Sequence, residues 1–221
     1  KTLLPVETNF YPFGYGHNLS RVLTQGSVLG SVALLLGFPR AFVPASANYA
    51  SLAPWGSHPL TDPLYSNEHV EVVHDGAGMK RTERIASIAG DDEALATLTV
   101  CVEDMNANCG RCVKCLRTMT TLELLGKHPP SFPWPLSFRA LRRVDWSRER
   151  GLLQQNIDLA SGTGKHALLK LLRARQRSYE RAQVLKDADR VLLGGLLKKI
   201  ASAVSRDTGA ARRIDVVPPK G

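Results

Sequence analysis

The chain has 221 residues, enough for one substantial core or for one domain with an appendage. No apolar run approaches the roughly twenty residues that span a bilayer, which argues against a membrane-spanning protein and for a reduced, cytoplasmic one. The formal charge of +9 is unevenly spread: residues 1–127 carry ten Lys and Arg against twelve Asp and Glu, a net −2, and residues 128–221 carry nineteen against eight, a net +11.

The chain opens on Lys1, and its first sixteen residues read like the interior of a domain, so a fragment is expected. Residues 6–9 end a strand-like stretch that leads into an aromatic, glycine-rich loop, FYPFGYGHN, with His17 expected at the surface. Leu19, Val22, Leu23, Val28, Leu29, Val32, Leu35 and Leu36 predict a helix over 18–36, buried on a broad face and stopped by Gly37. Residues 41–46 read as a short buried strand. Helix followed by buried strand is the rhythm of a parallel α/β sheet.

The segment 45–69, ASANYASLAPWGSHPLTDPLYSNEH, is long, irregular and rich in proline, serine and asparagine. It follows a presumed parallel strand, where open α/β sheets place their ligands. Ser46, Asn48, Tyr49, Trp55, His58 and Asp62 are therefore the candidate substrate-binding residues. Tyr49 and Trp55 suit stacking on a planar base, and Ser46 and Asp62 suit hydrogen bonds to its edges. Each has a plainer role open to it: Ser46 as a strand end, Trp55 as core, Asp62 before Pro63 as a turn. Ser66, Asn67 and Glu68 read as the cap of a helix over 69–78, which makes His74 and Asp75 its end. Further short helices are expected over 80–88 and 91–98.

Cys101, Cys109, Cys112 and Cys115 are the only cysteines and follow the spacing C-x7-C-x2-C-x2-C. Four thiolates close a tetrahedral shell around zinc at about 2.3 Å per bond, and a closed shell is structural because a catalytic zinc keeps an open position. Gly110 can take a left-handed turn between Cys109 and Cys112, and Arg111, Lys114 and Arg117 are placed to offset the thiolate charge. Leu116, Met119, Leu122 and Leu125 predict a helix from Cys115 onward. Disulfides and an iron–sulfur cluster are the competing readings. A C-x2-C pair seldom makes a structural bridge, and the usual cluster run C-x2-C-x2-C-x3-C-P is incomplete here.

Residues 128–136 (HPPSFPWPL) form a proline-rich linker and the expected domain boundary. Beyond it, 137–221 reads as a basic helical region: one helix over 141–155, then two amphipathic helices over 165–183 and 184–205, then a loosely ordered end. Ser161-Gly162-Thr163-Gly164-Lys165 is the one phosphate-like motif, but Leu159 and His166 stand where a Walker loop needs Gly and Ser or Thr. It is read as a helix start.

Cys101, the run Asn108-Cys109-Gly110-Arg111-Cys112-x-x-Cys115-Leu116-Arg117, and the preceding Pro59-Leu60 resemble the 7-cyano-7-deazaguanine synthase family of PP-loop ATP pyrophosphatases. SHPLTDPLYSNEHVEVVHDGAG and NCGRCVKCLRTM look like a bacterial branch of that superfamily. The resemblance covers roughly residues 6–127. It implies an α/β fold, the C-terminal part of an open parallel-sheet (HUP/PP-loop-like) domain, with a structural zinc on the four cysteines. It also implies ATP and Mg2+, and the adenylation of a small carboxylate or base-like substrate before an amine attacks, as in queuosine biosynthesis. The family's SGGxDS loop is absent, so the chain is expected to be inactive without an N-terminal ATP loop. The alternative is a zinc-stapled module that binds RNA (tRNA) through its basic C-terminal region.

Overall fold

A computed structural model describes residues 2–10, 13, 14, 17, 21–104, 106–146 and 149–196. The predicted helix starts at 18–20, the end of the predicted helix 184–205 and the closing basic stretch lie outside the described residues. The fold is mixed and helix-rich, with one small parallel sheet. Helix α1 (Arg21–Leu36) is set by its Leu and Val content and ends at Gly37, whose φ is +65°. Strand β1 (Arg40–Pro44) pairs in parallel with β2 (Glu71–Asp75), with Arg40 opposite Glu71 and Pro44 opposite Asp75. Residues 2–9 have no regular structure, so the expected strand at 6–9 is not formed.

One face of the sheet packs Val43, Val70 and Val72 against Ala33 of α1. The other faces outward. Phe42 is 60% exposed, so β1 is not the buried strand its composition suggests. Helix α1 is likewise less covered than expected, with Leu35 87% exposed. Among the described residues the sheet has two strands, which cover only part of the sixteen-residue helix, while Phe42 lies on the face opposite Val43.

The expected helix over 69–78 is strand β2. Asn67 Oδ1 accepts from the amides of His69 and Val70, at 2.9 and 2.8 Å, and the Ser66 hydroxyl accepts from Val72 N at 2.9 Å. Those bonds turn the chain into an extended conformation that β-branched Val70, Val72 and Val73 favour.

Helix α2 (Arg81–Ile88) follows a tight turn and is capped by Glu83 Oε2 on Lys80 N at 2.7 Å. Helix α3 (Asp92–Thr97) has the Asp91 carboxylate accepting from Ala94 N at 2.9 Å. Helix α4 (Val113–Leu124) then runs through the centre of the molecule and buries Cys115, Leu116, Met119 and Leu122. Helices α5 (Phe138–Arg143) and α6 (Arg150–Ser161) replace the single helix expected over 141–155. The break lets Trp146, 2% exposed, fold into the core. Helix α7 (His166–Leu192) is one helix where two were expected, because no glycine or proline interrupts it at Gln183 and Val184. Gly194 and Gly195, at φ +57° and +79°, follow its end.

Leu116 and Leu124 of α4 pack with Leu141, Trp146, Leu153, Ile157, Leu168 and Leu172 in one core. A second core joins Ile85, Leu95, Met119, Leu122 and Phe132 to the cysteines. Residues 128–136 thus lie against the body: Phe132 is buried, and Ser131 O accepts from Asn108 Nδ2 at 2.9 Å. The change in charge at residue 128 is a boundary of composition and not of packing. Among the described residues no helix is long and apolar enough to cross a membrane.

Candidate functional site

The four cysteine sulfurs converge, each within 4.8 Å of the others, and Cys109 Sγ lies 4.0 Å from Cys115 Sγ. A tetrahedron with bonds of 2.3 Å has edges of about 3.8 Å, so a small inward adjustment closes a metal shell. The backbone is already arranged for thiolates. Asp104 N points at Cys101 Sγ (3.3 Å), Cys112 N at Cys109 Sγ (3.4 Å) and Cys115 N at Cys112 Sγ (3.4 Å). Gly110 makes the knuckle at φ +67°, where a side chain would be strained.

Cys112 and Cys115 are buried at the start of α4, and Cys101 and Cys109 are half-buried. Burial opposes ionisation of Cys101, but hydrogen bonds from the backbone of Cys109, Glu103 and Asp104 outweigh it and bring the thiol down to about 6. Burial pushes Cys109 and Cys115 upward. A bound dication would hold all four as thiolates. Of the basic residues expected to balance that charge, Arg117 pairs instead with Glu149, and Arg111 lies 3.7 Å from Glu103, whose Oε2 is 3.8 Å from Cys109 Sγ.

A separate cleft of about 140 Å3 opens at the carboxyl end of β1. Of the predicted residues, Ser46, Trp55 and His58 line it, with Leu52, Pro59 and His74 beside them. Asn48 and Tyr49 do not. The Asn48 side chain accepts from the Ser51 hydroxyl at 2.5 Å, and Tyr49 N donates to Ala77 O at 2.9 Å, leaving the Tyr49 ring exposed. Asp62 sits behind the wall, 1% exposed, accepting from the Ser57 hydroxyl at 2.7 Å and the His58 amide at 3.1 Å. Its Oδ2 also lies 2.6 Å from His74 Nδ1.

No family model, curated protein or solved structure gives a significant match to this chain.

His74 is the cleft residue that sequence reasoning set aside, because it was placed at a helix end. The Asp62 carboxylate accepts from His74 Nδ1, which places a proton on that nitrogen. In His58, by contrast, Nδ1 accepts from Leu60 N at 3.2 Å and Nε2 carries the proton. The cleft therefore places two histidines beside the Trp55 ring. Such a set suits a planar ring with hydrogen-bonding atoms at its edge.

Two other candidates lie apart from the cleft and the cysteines. His17 is exposed, its ring 4.4 Å from that of Phe13. Lys165 of the SGTGK stretch donates to Glu123 Oε1 at 2.6 Å, and the stretch links α6 to the start of α7.

Proposed function

We propose that the chain is the substrate- and zinc-bearing part of an ATP-dependent, adenylating ligase or amidating enzyme resembling 7-cyano-7-deazaguanine synthase, built on a PP-loop-like α/β domain. The observation that carries this reading is the cleft at the carboxyl end of a parallel strand, in the same folded body as a four-cysteine centre. Zinc is the metal of choice because four sulfur donors in a tetrahedral arrangement suit it, and a closed shell makes it a fastener. Within the cleft, Trp55 would stack on the substrate while His58 and His74 hydrogen-bond its edge. ATP and Mg2+ would be supplied at a loop that this chain lacks. The longest product of the gene encoding this chain should exchange labelled pyrophosphate into ATP only when the right carboxylate is present, and the chain alone should not. No exchange from either, across a panel of heterocyclic carboxylates, would end the ligase reading.

A second reading is a zinc-stapled tRNA-binding module. It is favoured by an open groove in which Arg111, Arg139 and Arg143 line one surface beside the cysteine knuckle. Binding to tRNA that weakens steeply with salt would support it, and no binding at low salt would remove it.

A further inference from the structure

Where α2, α4 and the start of α6 meet, Arg84, Arg117 and the Glu149 carboxylate all lie near Arg81. Arg81 and Arg84 stand one turn apart on α2, Arg117 lies on α4, and Glu149 immediately precedes α6. Arg117 pairs with Glu149 through side chains only 12% and 18% exposed. Arg84 donates through Nη1 to the carbonyl of Ala45, at the end of β1. The Nε atoms of Arg81, Arg84 and Arg117 are all enclosed and have no hydrogen-bond partner. Burial, then repulsion from Arg117 and Arg84, bring Arg81 down to about 10, with Glu149 offsetting only part of it. Even there the guanidinium stays charged at neutral pH.

Half-buried charge without a counter-charge is costly, and arginine cannot escape by losing its proton. The cluster carries an excess of two positive charges over Glu149. The backbone amides at the start of α2 do not share the task, since Glu83 caps Lys80 N and Gln155 Oε1 accepts from Arg81 N at 3.0 Å. The unspent donors are those of the guanidinium groups. Their planar forks match a group that offers several oxygens, and a phosphate monoester carries close to two negative charges at neutral pH. A single carboxylate would leave one positive charge unmet. In the turn between β2 and α2, Gly76 at φ +81° lies against the Arg84 side chain, and Gly78 borders open space.

We propose that Arg81, Arg84 and Arg117 form a site for the phosphoryl group of a small phosphorylated ligand. The site lies at the sheet's carboxyl edge, since Ala45, which Arg84 holds, adjoins Ser46 of the cleft. It stands whether or not the ligase reading does, because it requires an oxyanion and no adenylation.

The test is thermal denaturation of the whole chain with inorganic phosphate or pyrophosphate, against sodium chloride and sodium acetate at equal ionic strength. The phosphates should raise Tm saturably and the other two salts should not. Arg81→Ala and Arg84→Ala should each weaken the apparent affinity about tenfold or more, read against the variant's own Tm without ligand. Arg81→Lys, which keeps the charge and loses the fork, should fall between, and Arg190→Ala on the exposed end of α7 should match wild type. The proposal is overturned if chloride reproduces the shift, or if both alanine variants bind phosphate as wild type does.

Discussion

Asp62 and His74 are twelve residues apart in sequence and 2.6 Å apart between Oδ2 and Nδ1, with side chains 1% and 4% exposed. Asp62 ties the loop to β2 and at the same time holds the His74 ring at the wall of the cleft. Asp62→Ala leaves a hydroxyl, an amide and a ring nitrogen without their acceptor and should destabilise the fold by about 3 kcal/mol. Asp62→Asn keeps an acceptor and should lose less. Urea unfolding measures both, and a loss of under about 1 kcal/mol for the alanine variant would show that the network is not structural.

The cysteine centre should hold one metal ion per chain, counted by native mass spectrometry. Stripping it with a chelator should lower Tm and open the sulfurs to alkylation, with half-buried Cys101 and Cys109 reacting before buried Cys112 and Cys115. Metal loading should protect all four. Equal alkylation with and without metal would show that the cysteines are not its ligands.

Gly26 of α1 faces the loop so closely that a Cβ there would lie 1.9 Å from the Gly56 carbonyl oxygen. The obstacle is backbone and cannot rotate away. Gly26→Ala should destabilise by about 3 kcal/mol, although alanine is the better helix former, and unfolding midpoints in urea report it. A stabilised variant would mean that the loop does not rest on α1.

Leu172 on α7 is fully buried against α4, α5 and α6. Leu172→Ala should cost about 3 kcal/mol. Fluorescence of buried Trp146 and far-UV circular dichroism should give coincident transitions in both proteins, since one core spans the composition boundary. Two separated transitions would count against a shared core.

Lys165 bridges to Glu123 with both side chains partly exposed, so Lys165→Ala should cost less than about 1 kcal/mol. It should leave the phosphate-induced rise in Tm unchanged. A lost phosphate response would return the SGTGK stretch to consideration as a phosphate loop.

The convergence of the four cysteines was legible because they are local in sequence and glycine marks the knuckle. Helix α4 was legible for a similar reason, with Leu116, Met119 and Leu122 on one periodic face. Strand β2 was not: five residues show no decisive period, and the clue was Val70, Val72 and Val73. The partnership of Asp62 with His74 depends on how β2 lies beside the loop, which no local pattern encodes. Asn48 and Tyr49 fell outside the cleft because bonds to Ser51 and Ala77 set the loop's course. The proline-rich stretch has the composition of a linker, but Phe132 pins it to the cysteine core.

Helix α4 has cysteines of the four-cysteine cluster at its start and core leucines along its length. Dividing the gene at residues 128–136 would therefore not separate an acidic domain from a basic one. Each half would carry an open hydrophobic face and depend on the other to refold, so co-expressed halves should reassemble where either alone precipitates.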